Sequence, residues 1–206
     1  MIRNQKGFTL VELIAGIALS TLLFAGFTMF LIQFVNNFKE INEYNNLQHE
    51  MLNTLEVIRY GYVKKGKNDN DAMIGLLTAN KVNIASNGKS VTIMPIISNT
   101  GETHWAKYTL DSKGRIVLNA KFGIHNLSGE IIFPKSDEVV DKALKYKITD
   151  FSVKNVSPIL SDKVSLVTVK IEGQVRFRPK GKNQNRLEDE KMNTKKATFE
   201  STVFVS

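Results

Sequence analysis

The sequence predicts an α+β protein: one long N-terminal helix, transmembrane and then amphipathic, packed on an antiparallel β-rich C-terminal domain. Three observations predict it. No charged residue occurs from Leu13 to Phe38. Ile41, Tyr44, Leu47, Met51, Leu55 and Ile58 then recur at three- and four-residue steps, which is the helical period. Beyond residue 80 apolar residues alternate instead, in short runs divided by glycine and asparagine turn signals.

The apolar run comes first. Thirteen large apolar residues between Leu13 and Val35 contribute on the order of −4 to −8 kcal/mol to insertion. Glu12 stands near the end of the run, where a charge costs less than the roughly +3 kcal/mol it costs at the bilayer centre. Insertion wins, and the length suffices for a bilayer core. Arg3 and Lys6 precede the run and only Lys39 follows closely. That asymmetry keeps the N-terminus in the cytoplasm and sends the remainder outside.

The amphipathic stretch continues the same helix. No proline occurs before Pro95, so nothing stops it. One helix is predicted from about residue 8 to about residue 60, ending near Gly61. At 1.5 Å per residue it would be roughly 80 Å long.

The β-region follows a polar loop over 61–72 and a helical turn or short strand over 72–79. Runs 81–85 and 90–97 flank Ser86-Asn87-Gly88-Lys89, and runs 105–110 and 115–122 flank Asp111-Ser112-Lys113-Gly114. Both are hairpin signals. Residues 123–141 read as a long connection. Run 145–153 places Tyr146, Ile148 and Phe151 inward, with a register change near Asp150. Run 164–177 places Val167, Val169, Ile171, Val175 and Phe177 on one face. Residues 178–195 read as a charged loop, and 198–205 as a closing strand with Phe199 and Val203 on one face.

Composition bounds the function. The chain has 206 residues, enough for one domain and an anchor, and no cysteine. A disulfide, a thiolate metal site, a thiol nucleophile and a lipidated cysteine are therefore excluded. The formal net charge is +8, but the lysines are dispersed among asparagines and acids. Nucleic-acid binding is disfavoured on that ground.

The stretch Lys6-Gly7-Phe8-Thr9-Leu10-Val11-Glu12-Leu13-Ile14 resembles the processing site of type IV pilins and of the pseudopilins of type II secretion. A cleaved secretory signal fits poorly, since Ala18-Leu19-Ser20 is its best cleavage pattern and the apolar run continues past it. A plain anchor explains neither Gly7 nor Glu12. The resemblance covers about the first 35 residues.

It implies that a prepilin peptidase/methyltransferase reads the basic leader residues Arg3 and Lys6, cuts between Gly7 and Phe8, and methylates Phe8. It implies that Glu12 serves subunit assembly by pairing with the methylated amine of a neighbour. Residues 1–7 would be the leader, 8–38 the transmembrane and assembly helix, and 39–206 an extracytoplasmic pilin-like domain. The partners would be other pilin or pseudopilin subunits, through the helix, in the inner membrane. The mature chain would have 199 residues and a side-chain charge of +6.

The search for catalytic chemistry returns little. His49, His104 and His125 lack metal-ligand spacing. Asn68-Asp69-Asn70-Asp71 is like half of a calcium loop but lacks its glycine and distal glutamate. Glu188-Asp189-Glu190 reads as a solvated loop. Trp105 and Tyr108 read as core or hairpin packing rather than a ligand platform. No enzyme, cofactor or metal is expected. The order of a long helix and late strands over 148–153, 166–171 and 199–205 looks like the J-type minor pseudopilins and related minor pilins. A structural subunit that initiates or tips a filament is expected. The competing function is a binding module displayed on such a filament, for DNA uptake, adhesion or cargo.

Overall fold

A computed structural model describes residues 9–61, 74–95, 104–122, 125–140, 143–156, 166–177 and 194–205. The chain divides into two compact units, Met1–Glu43 and Tyr44–Ser206. Helix α1, Leu10–Tyr60, supplies the first unit's described structure and the first element of the second.

In the first unit, α1 is long and apolar enough to cross a membrane, and its apolar stretch is bare. Large side chains from Leu10 to Phe38 stand exposed. A helix apolar all round belongs in lipid or among other helices.

In the second unit, the amphipathic stripe is buried. Leu47, Met51 and Ile58 are fully enclosed, and Leu55 nearly so. Thr54 joins them, its hydroxyl donating to the Glu50 carbonyl at 2.8 Å, so it carries no unsatisfied polar atom into the core. The stripe starts later than its period suggests. Ile41 remains exposed, because periodicity defines a face and not what covers it. The helix ends as expected. Gly61 takes φ +103° and its N–H donates to the Val57 carbonyl at 2.8 Å, a left-handed stop that glycine favours.

After a 3₁₀ turn at Leu76–Thr78 the strands are β1 Ala79–Ile84, β2 Ser90–Pro95, β3 Trp105–Leu110, β4 Ile116–Phe122 and β5 His125–Phe133. They form one antiparallel sheet in chain order. The short β6 Val139–Val140 and β7 Ala143–Leu144 pair with each other. Then β8 Tyr146–Asn155, β9 Leu166–Arg176 and β10 Thr194–Phe204 form a sheet in the order β10-β9-β8.

The first two hairpins and the strands β8 and β9 match the sequence reading. In β8, Ile148, Phe151 and Val153 point inward, and the register shifts between Ile148 and Asp150. Two expectations are corrected. Residues 123–141 are not one long connection, since β5 and β6 lie within them. Asn119 Oδ1 accepts from Gly129 N–H at 2.9 Å and Gly129 takes φ +73°. The β4–β5 register shifts here, so the strand bulges and its alternation is broken. The closing strand begins at Thr194, not residue 198, because the charged Thr194-Lys195-Lys196 pairs with Arg176, Val175 and Gln174 of β9. The helical turn expected within 72–79 is the 3₁₀ turn at Leu76–Thr78, after which Ala79 opens β1.

The two main sheets meet along β8. Its outer edge is closed by the turns of the two early hairpins. Val153 N–H donates to the Gly88 carbonyl, and Ile148 N–H to the Gly114 carbonyl, each at 2.8 Å. Lys89 Nζ reaches Asp150 Oδ1 at 2.5 Å beside them. An exposed strand edge invites unwanted pairing, and these turns occupy it. Gly88 and Gly114 take φ +67° and +78°.

Tyr108 lies in the core beneath α1, fully buried, and its hydroxyl donates to the Val57 carbonyl at 3.2 Å. Burial pushes its phenol well above the usual tyrosine value. The folded state therefore holds this proton more tightly than the unfolded chain does. The resulting stability is complete below about pH 10, the unfolded value, and is lost as pH climbs toward the folded one. Tyr108→Phe should cost about 1 kcal/mol at pH 7 for the lost hydrogen bond. It should also flatten the fall in stability above about pH 10. Urea midpoints of parent and variant at neutral and alkaline pH measure both effects.

Candidate functional site

The acid at the start of α1 is the site the sequence singles out. Gly7, Phe8, Arg3 and Lys6 lie outside the described residues, so the site is built from Thr9 onward. Thr9 is the helix N-cap. Its carbonyl accepts the first turn's bond from Leu13 N–H at 3.2 Å. Its hydroxyl accepts from Glu12 N–H at 3.3 Å and donates to Glu12 Oε2 at 2.9 Å. Its own N–H donates to the same Oε2 at 2.9 Å. This is a reciprocal capping box, in which a hydroxyl and a carboxylate three residues apart satisfy each other's backbone N–H.

The box accounts for the carboxylate's position. A helix N-terminus favours an anion, and two donors from one residue fix which oxygen is held. Among the described residues no group donates to Oε1. Within the described residues Glu12 thus has one engaged oxygen and one without a donor. The sequence reading placed Glu12 but passed over Thr9. The signal was present, since Thr9-Leu10-Val11-Glu12 is the spacing a capping box requires.

Further along the first unit, three hydroxyls bond back within the helix. Ser20, Thr21 and Thr28 hydroxyls donate to the carbonyls of Gly16, Ala18 and Phe24, each at 2.8 Å. Such back-bonding removes hydroxyl donors that hydrocarbon could not satisfy. Glu12, Leu13, Gly16, Ile17, Ser20, Thr21 and Phe24 line one open, mostly apolar groove along the helix. Phe30, Phe34 and Phe38 form a stacked ladder, with successive ring centroids 6.4 Å apart. Glu12 is the one acid in this apolar surface.

The other candidates are dispersed. His49 is exposed on α1. His104 lies just before β3, and His125 opens β5 opposite Phe122. Trp105 is half-buried and Tyr108 fully buried, so they form no surface platform. Asn68–Asp71 and Glu188–Glu190 lie outside the described residues. Among the described residues no three His, Cys, Asp or Glu side chains gather as metal ligands would.

Comparison with known proteins agrees with the N-terminal reading. Residues 2–28 match the prokaryotic N-terminal methylation motif. Among solved structures, a type IV-like pilin from Thermus thermophilus is similar, at 13% identity and a TM-score of 0.43, over 63% of this chain and 88% of that one. No curated protein sequence matches the chain.

Proposed function

We propose that this chain is a minor pilin or pseudopilin, a non-catalytic subunit of a type II secretion pseudopilus or type IV pilus. The observation that carries the reading is the N-terminal methylation motif over residues 2–28. In this reading the chain enters the inner membrane through α1, with its N-terminus in the cytoplasm and residues 39–206 outside. A prepilin peptidase cuts after Gly7 and methylates Phe8. The subunit acts in filament initiation or at the tip, and meets other subunits through the apolar helix. Glu12 enters that contact as an acid whose Oε1 meets no donor among the described residues, and pairs with the amine of a neighbouring Phe8.

The peptidase reading is tested at the N-terminus itself. In cells holding the cognate peptidase, mass spectrometry should find a chain beginning at N-methylated Phe8. Gly7→Val should block this, because a side chain there obstructs close approach of the backbone to the cutting enzyme. The variant should stay at precursor mass, with its leader attached. Normal maturation of Gly7→Val, or a cut elsewhere in the parent, overturns the assignment.

A further inference from the structure

We propose that Thr9 is a positioning residue for assembly, holding Glu12 Oε2 so that Oε1 is presented to the incoming cation. The inference rests on the pairing role proposed for Glu12 and adds a residue that role does not include. Both donors to Oε2 come from Thr9, its N–H and its hydroxyl, each at 2.9 Å. The hydroxyl also accepts from Glu12 N–H at 3.3 Å, so one side chain fixes both the backbone and the carboxylate of Glu12. Without these bonds, the exposed glutamate would sample several rotamers and would lose that freedom on pairing. A carboxylate held in advance meets its partner at lower entropic cost.

A helix cap alone would not give the same result, and the choice of variants separates the two roles. Glycine caps a helix about as well as threonine but offers no hydroxyl. Serine keeps the hydroxyl. The full-length chain is expressed in cells that process it, as Thr9→Val, Thr9→Gly and Thr9→Ser, each with Glu12 intact and each combined with Glu12→Leu. The readouts are cleavage after Gly7 and the yield of crosslinked high-mass species per mature chain.

With Glu12 intact, Thr9→Val and Thr9→Gly should lower that yield about tenfold, the effect of losing a charge-assisted hydrogen bond. Thr9→Ser should restore it. Combined with Glu12→Leu, none of the three should lower the yield beyond Glu12→Leu alone. A normal yield for Thr9→Gly overturns the positioning role and leaves a cap. A further loss in the Glu12→Leu background shows that Thr9 acts through another group, and also overturns it. If Glu12→Leu alone assembles like the parent, the pairing reading fails first and this inference falls with it.

Discussion

Gly75→Ala should destabilise the second unit more than alanine at any other described glycine in it. A Cβ built on Gly75 falls against Gly61 N and Tyr60 C, and 2.6 Å from Arg59 O. All three are backbone atoms at the end of α1, where Gly61 stops the helix with φ +103°. A flexible side chain could swing aside, but a hydrogen-bonded helix end cannot. Gly75 N–H also donates to Thr78 Oγ1 at 3.2 Å, which anchors the 3₁₀ turn leading into β1. The chain returning toward the sheet therefore crosses the helix end at van der Waals contact, and only a missing side chain permits it.

Overpacking typically costs about 1–3 kcal/mol and occasionally more. The unyielding backbone partners put Gly75→Ala at about 3 kcal/mol, the top of that range and a large share of a typical total stability of about 5–15 kcal/mol. Gly129→Ala is the comparison. It also adds one methyl, and its φ is +73°, but nothing lies within 4 Å of the added Cβ. It should cost only the left-handed backbone, about 1–2 kcal/mol. Urea midpoints for the two variants should rank in that order. An equal or smaller shift for Gly75→Ala would mean that the helix end yields.

The long helix and the first two hairpins were legible in the sequence because each depends on local chemistry. A run without charge needs no partner to identify it, and Asn87-Gly88 and Asp111-Ser112-Lys113-Gly114 specify turns within four residues. The inward faces of β8 and β9 were legible because alternation survives there, and the one break at Asp150 is a register shift. β5 was hidden because Ser128-Gly129-Glu130 interrupts its alternation. Its strand identity comes from pairing with β4, which local pattern does not contain. The beginning of β10 was hidden for the same reason. Lysines over 195–196 resemble a loop until β9 lies beside them.

Contacts between distant elements were beyond sequence reasoning altogether. The Gly114 and Gly88 carbonyls closing the edge of β8 depend on how two sheets meet. Gly173 belongs here too. A Cβ on it would come 2.6 Å from Met51 Sδ, so the absence of a side chain on β9 makes room for α1. Within the candidate site, Glu12 was conspicuous as a charge in apolar surroundings. Thr9 was inconspicuous because threonine at a helix start is ordinary. Its role emerges only when both of its donors are seen to reach the same carboxylate oxygen.

Glu12→Leu should leave the chain inserted and processed but largely unassembled. Insertion should persist, since the substitution removes a desolvation cost and leaves the apolar run of α1 intact. Cleavage should persist as well, because Gly7, Phe8 and the basic leader are unchanged. The loss should fall on pairing. A neighbour's methylated amine would enter an apolar surface without its counter-charge, which is the costly way to break an ion pair, at about 3–5 kcal/mol. Crosslinked high-mass species per mature chain should fall by about a hundredfold or more, as that energy implies.

Glu12→Gln isolates the charge from the cap. Glutamine can complete the same box with Thr9, so the first turn should stay closed while the ion pair is lost. If the charge is what assembly uses, Glu12→Gln and Glu12→Leu should fail alike, with the mature N-terminus normal in both. If Glu12→Gln assembles and Glu12→Leu does not, the box itself rather than the ion pair is the element that neighbouring subunits recognise. Assembly of both at the parental level would make Glu12 a cap and nothing more, held at the helix start by Thr9 and the dipole alone.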